Sequence, residues 1–143
     1  MRKVVAVGTA FAFAVGTLVG CAEKSDRIPV SKVSGKLVRT GAPLTGLSVT
    51  FHPADGNTPA TPTRPFGIVN AEGSFRLTSY LKDDGAPPGE YVVTIGEAPR
   101  GDGAGVPRAI LPNAKFLDPK TSPLRVRVES APSNELAPFD ISN

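Results

Sequence analysis

Glu90-Tyr91-Val92-Val93-Thr94-Ile95 is the run on which the fold turns. Its β-branched and aromatic residues suit a pleated surface, and period-two alternation puts Tyr91, Val93 and Ile95 on one face. Leu47-Ser48-Val49-Thr50-Phe51 upstream and Leu124-Arg125-Val126-Arg127-Val128 downstream alternate in the same way. Val30 to Arg39 mixes β-branched with polar residues before the turn chemistry of Thr40-Gly41-Ala42-Pro43. Phe66 to Asn70 and Ser74 to Ser79 flank Ala71-Glu72-Gly73, which predicts a hairpin with Gly73 at positive φ and Phe75 and Leu77 facing inward. Phe139 and Ile141 mark a last strand. Between these runs, Asn57 to Pro65 reads as an exposed connection that does not pack, Lys82 to Gly89 as a turn-rich corner, and Gly96 to Pro123 as mostly loop.

Seven short strands, each apolar on one face, must bury those faces against one another, and two facing sheets do so economically. The expectation is an all-β, antiparallel, seven-stranded β-sandwich over residues 30–143, with a small β-barrel as the alternative. Fifteen Gly and fifteen Pro among 143 residues leave little room for long helices, and the absence of Trp makes the core one of Val, Leu, Ile and Phe. Net charge is +3, and close to balance without Arg2 and Lys3, so there is no electrostatic case for nucleic acid.

The N-terminus has a different character. Met1-Arg2-Lys3 is a short positive segment, and Val4 to Val19 contains only Val, Ala, Gly, Thr, Phe and Leu. This pattern is a secretion signal, and it is short for a membrane span of about 20 residues. Leu18-Val19-Gly20-Cys21 resembles the lipobox of bacterial lipoproteins, in which the cysteine receives a diacylglycerol thioether before cleavage. That resemblance implies a signal peptide over 1–20 and a mature chain beginning at lipidated Cys21. Residues 21–29 then read as a polar, flexible spacer. Acyl chains contribute about 0.8 kcal/mol per buried methylene, so several together hold a protein essentially permanently at a membrane it does not cross. The expected place is the cell envelope, facing an extracytoplasmic space, and Ala22 after the cysteine is compatible with outer-membrane delivery. Cys21 is the sole cysteine, which excludes an internal disulfide and a Cys-based metal cluster.

Val33-Ser34-Gly35-Lys36-Leu37, Gly41-Ala42-Pro43-Leu44 and Val49-Thr50-Phe51 together resemble the opening of carboxypeptidase regulatory-like domains. The likeness continues through Asn70 to Phe75 and through Gly85 to Tyr91. It is nearest to the small lipoproteins of planctomycete-type bacteria, in which a segment like Pro112 to Leu124, with its Lys115-Phe116, Asp118-Pro119 and Thr121-Ser122-Pro123-Leu124, precedes a late strand. The resemblance implies a transthyretin-like (prealbumin-like) sandwich with immunoglobulin-like layering. Its motifs are structural, so it speaks to fold far more than to function.

Candidate chemistry is sparse. His52 is the sole histidine, so no multi-histidine zinc site exists, and it ends a strand beside Pro53, where a surface or edge histidine is ordinary. No serine stands in a Gly-x-Ser-x-Gly setting. Hydroxyisourate hydrolases, an enzyme branch of the transthyretin-like family, use several histidines and a C-terminal Tyr-Arg-Gly-Ser, and this chain has neither. Glu72, Asp83 and Asp84 lack calcium-loop spacing and read as solvated turns. Gly101 to Gly105 lacks the Lys-Ser/Thr of a phosphate loop and reads as a tip. Arg125 and Arg127 fall on the outer face of one strand, where they deter edge pairing. An isopeptide joining Lys32 or Lys36 to Asn134 or Asn143 has no identifiable buried acid to promote it.

The sequence therefore predicts no catalytic residue, no cofactor and no metal, with lipidation at Cys21 as the one assigned modification. The leading expectation is a non-enzymatic envelope module that meets a protein or glycan partner through loops or sheet edges, and the membrane through its lipid. A small-ligand or carbohydrate-binding lipoprotein serving transport or degradation is the alternative, which exposed aromatic residues would favour. A hydrolase built around His52 comes third, and would need perturbed ionisable groups in a polar pocket.

Overall fold

Residues 27–54, 64–99 and 111–142 are described by the computed structural model. The leader, Cys21 and the Gly-rich tip lie outside these described residues, as do most of the Pro-rich connection and Asn143. The strands in chain order are β1 (Lys32–Arg39), β2 (Ala42–Pro43), β3 (Leu47–Pro53), β4 (Phe66–Ile68), β5 (Ser74–Arg76), β6 (Gly89–Glu97), β7 (Arg125–Val128), β8 (Ser133–Glu135) and β9 (Phe139–Asp140). The helical content of the described residues is one 3₁₀ turn, Ala114–Phe116. The described residues are all-β, as the alternation predicts.

Two sheets share one core. In the first, β1 is central: β2 and β5 pair antiparallel along one side, while β8 and β9 pair parallel along the other. The second is wholly antiparallel in the order β4-β3-β6-β7, with β3 and β6 in register from Leu47↔Glu97 to Pro53↔Tyr91. Val33, Leu37, Phe75 and Phe139 from the first sheet meet Val49, Phe51, Tyr91, Val93 and Ile95 from the second in a single buried cluster. The Phe51 ring lies 5.6 Å from Tyr91 and 6.5 Å from Phe139, and Phe139 stacks on Phe75 at 5.9 Å, so rings from four strands tie the layers together. Such a ring contributes about 1.5–3 kcal/mol by burial alone, and each aromatic pair about 0.5–1.5 more. At the foot of β6 the buried Tyr91 hydroxyl donates to the Pro87 carbonyl at 2.7 Å and fixes the corner into the strand.

Several expectations need correction. All seven expected strands exist, but β2 and β8 are additional, and the parallel pairing of β8 and β9 makes the first sheet mixed. β4 and β5 do not form a simple hairpin. Gly73 does take φ +74, and Asn70 closes the turn by accepting from Glu72 and Ser74 through its side chain. Each strand then leaves for a different sheet, since β4 is hydrogen-bonded to β3 and β5 to β1. One antiparallel bridge, Phe66↔Thr78, still joins them at the far end. Pro65, read as part of an unpacked connection, is fully buried, and its carbonyl accepts the Phe51 N–H.

The sequence reads residues 96–123 as mostly loop, and the structure differs. The first residues of this segment continue β6, and residues 111–123 form a strap across the outer face of that strand. Asn113 caps the 3₁₀ turn, Phe116 is buried, and the Ser122 hydroxyl donates to the Val93 carbonyl. Val92 and Thr94, which alternation alone would leave outward, are therefore buried as well. Arg125 and Arg127 are exposed on edge strand β7, where Arg127 pairs with Glu129 at 2.9 Å, an exposed contact worth no more than about 1 kcal/mol.

Candidate functional site

Among the described residues, a concavity opens where the two sheets part. In β4 the alternation buries Gly67 and turns Phe66 and Ile68 out, leaving them 40% and 51% exposed. Across from them, β5 presents Arg76, and β1 presents Ser34 and Lys36. Phe66 and Thr78 exchange two backbone hydrogen bonds at one end, and the Asn70 N–H donates to the Ser74 carbonyl at the other. Ile68 and Arg76 stand between them without a ladder pair, and the strands diverge there. Gly67 sits so close to the Arg76 carbonyl that a Cβ would lie 2.6 Å from its oxygen, so the crossing requires glycine. The resulting open groove has a volume of about 1080 Å³.

Its walls carry both signs of charge: Lys36, Arg76 and Lys82 stand with Glu72, Asp83 and Glu135. A balanced lining does not steer a strongly charged ligand; it suits a partner that offers apolar and mixed polar groups together. Phe66 is the only aromatic residue with its side chain on the groove's exposed wall. Tyr91 is spent in the core, and the Tyr80 hydroxyl accepts the Ile28 N–H at 3.3 Å. The stacking platform that a sugar site requires is therefore thin.

His52 lies elsewhere, on the strap-covered outer face of the second sheet. Its Nε2 is 2.9 Å from the Thr94 hydroxyl. Burial, seconded by the Arg64 guanidinium, holds its pKa below the ordinary imidazole value, while Asp118 pulls the other way. The neutral ring is thus favoured, and the Thr94 hydroxyl beside it is engaged with it. His52 is not among the groove-lining residues.

The carboxylates resolve differently. Asp84 turns inward and accepts from the backbone N–H groups of Ser79 (2.7 Å), Leu81 (2.8 Å) and Tyr80 (3.0 Å). Burial would raise its pKa, but these three donors outweigh burial and hold it below the ordinary value. Glu72 and Asp83 line opposite ends of the groove, one beside the Leu37 end of β1 and the other near Ser31. Among the described residues no group of three or more His, Cys, Asp or Glu stands together as metal ligands. The Asn134 amide is occupied by the Glu129 backbone, accepting at 2.9 Å and donating at 3.1 Å, while Lys32 and Lys36 point outward, so these three residues are not arranged for an isopeptide.

The Asp84 geometry fixes a pH dependence. A carboxyl whose folded pKa is depressed stabilises the fold above its unfolded value, about 3.8, and that contribution is lost as the pH falls through the folded pKa. Asp84→Asn is expected to lower stability at neutral pH by about 1–2 kcal/mol and to flatten the acid limb of the stability curve. Urea melts from pH 2 to pH 7 check this, and equal acid slopes for the two proteins would refute it.

The groove escaped sequence reasoning because Phe66-Gly67-Ile68-Val69 is apolar throughout and shows no alternation to tell inward from outward. No protein-family model, curated protein or solved structure matches this chain.

Proposed function

We propose that this chain is a lipid-anchored, non-enzymatic module of a bacterial cell envelope that holds a protein or glycan partner in the groove between β4 and β5. The anchor reading rests on the positive start, the apolar leader and the lipobox-like Leu18-Val19-Gly20-Cys21. Kinship with carboxypeptidase regulatory-like domains rests on the motifs around Gly35, Pro43, Gly73 and Tyr91. The observation that carries the functional reading is the groove itself: two exposed apolar side chains, Phe66 and Ile68, beside a charge-balanced wall. His52 is not among the residues lining the groove, and its ring is engaged with the Thr94 hydroxyl. The size of the groove also keeps a small ligand as a second reading, since its volume is near the upper end of the range for ligand pockets, about 300–1,000 Å³.

A photoreactive amino acid at Ile68, activated in intact envelopes, tests the proposal. The expected result is a discrete set of adducts, lost when Phe66→Ser is added and absent when the same label sits at Arg125. Equal adducts from both sites, or turnover of a substrate by purified protein that His52→Ala abolishes, would defeat it.

A further inference from the structure

The corner where the chain enters the domain has an unusual surface. Leu81 is 63% exposed, more than any other large apolar side chain among the described residues. It stands on a turn held from several directions: the Asp84 N–H donates to the Leu81 carbonyl, the Asp84 carboxylate accepts from Ser79, Tyr80 and Leu81, and the Asp83 N–H donates to the Thr78 hydroxyl. Lys82, beside it, is exposed. The N-terminal segment arrives at this same corner, with the Ile28 N–H on the Tyr80 hydroxyl and the Arg27 guanidinium 5.4 Å from the centre of the Tyr80 ring.

We infer that the Tyr80-Leu81-Lys82 turn, with Arg27, is a membrane-contact surface that seats Leu81 at the headgroup–acyl boundary of the leaflet holding Cys21. The inference rests on the anchor reading of Cys21 and deepens it. Only Ala22 to Asp26 separate Cys21 from Arg27. Fully extended, this stretch reaches about 20 Å, and as a flexible coil it spans less. The corner is therefore held close to the bilayer whatever the rest of the domain does.

A single leucine gives a free protein no useful membrane affinity. On a tethered one the translational cost has already been met, so a small contact becomes a large occupancy. The rigid turn adds little ordering cost. Arg27 and Lys82 flank Leu81 with cationic heads suited to lipid phosphates. The two acids in the turn, Asp83 and Asp84, are both part-exposed and offset the two cations, with the Asp84 carboxylate held on the backbone N–H groups of Ser79, Tyr80 and Leu81, so the contact rests on Leu81 and the short tether. Glu72 lies at the other end of β1, beyond the contact.

The chain has no Trp, so one introduced indole reports unambiguously. The acylated full-length mature protein carrying Leu81→Trp is placed in phosphatidylethanolamine–phosphatidylglycerol vesicles with brominated acyl chains, with Glu72→Trp as the distal control. Emission from the Leu81→Trp protein is expected to shift to shorter wavelength and be quenched, while the Glu72→Trp protein keeps its aqueous spectrum. Adding Lys82→Glu is expected to lower the ratio of seated to lifted states about tenfold, equivalent to about 1.4 kcal/mol. An aqueous, unquenched Leu81→Trp spectrum from protein that carries the acyl mass and floats with the vesicles overturns the contact alone. Protein that neither carries the mass nor floats overturns the anchor, and the contact with it. A blue shift that disappears on dilution into excess vesicles assigns the surface to a second copy of the chain and likewise overturns the membrane contact.

Discussion

Gly85→Ala is expected to destabilise the domain by about 3–5 kcal/mol, a large share of the roughly 5–15 kcal/mol that holds a domain of this size together. Gly85 has φ +105, and a Cβ there would lie 1.8 Å from the Ser31 carbonyl oxygen and 2.5 Å from its carbon. These atoms are backbone, so no rotamer change relieves the overlap, and either the 77–86 segment or the start of β1 must move. The movement breaks the bridge in which Ser31 and Ala86 exchange hydrogen bonds of 2.9 and 3.0 Å, and disturbs the 2.9 Å bond from the Gly85 N–H to the Leu77 carbonyl. Each lost bond removes about 1 kcal/mol, and the left-handed conformation adds about 1–2 for alanine. Gly41→Ala is the control: its φ is +77 but nothing lies within 4 Å of the added methyl, so only the conformational cost of about 1 kcal/mol applies. Thermal melts of the two variants separate the causes, and equal shifts would show that contact with Ser31 contributes nothing.

Under the proposed anchor reading, Cys21→Ser is expected to abolish acylation and processing, leaving a precursor held at the membrane only by its apolar leader. A serine hydroxyl is not a substrate for thioether formation, so the acyl chains, each methylene worth about 0.8 kcal/mol in the bilayer, are never attached. The unprocessed leader then remains on the chain as an uncleaved precursor. Fractionation with globomycin-treated cells as a reference, and intact mass of the purified protein, read the result. Wild-type protein that fractionates away from membranes, or keeps residues 1–20 in its mature mass, would overturn the anchor.

Alternation made most of the core legible. Leu47, Val49, Phe51, Phe75, Leu77, Tyr91, Val93 and Ile95 are all buried as their positions predict, because period two reports which side of a strand faces away from water. It does not report the neighbour. The parallel pairing of β8 and β9 with β1 leaves no local trace, since Ser133-Asn134-Glu135 has no apolar residue and takes its extended form from hydrogen bonds to a strand about a hundred residues earlier. The parting of β4 and β5 was hidden for a related reason: the Asn70 turn is hairpin chemistry, and only contact with β3 and β1 pulls the strands apart. Val92 and Thr94 looked solvent-facing because the residues that cover them, around Phe116 and Ser122, follow about twenty or more positions later. The proposed anchor is read from composition and one cysteine alone, outside the described residues, whereas the groove depends on how two sheets diverge.

The side-by-side placement of β1 and β9 has a consequence for biogenesis. Leu37 and Val38 find their partners in Phe139 and Asp140, and the Thr40 N–H is met by the side chains of Asp140 and Ser142. A chain that emerges N-terminus first, from a ribosome or through a membrane pore, cannot complete its first sheet until Ile141 is free, about a hundred residues after β1. Closing a loop of that length late in synthesis favours slow, all-at-once assembly over stepwise growth. Until then the polypeptide stays threadable, a property that fits the secretion proposed above.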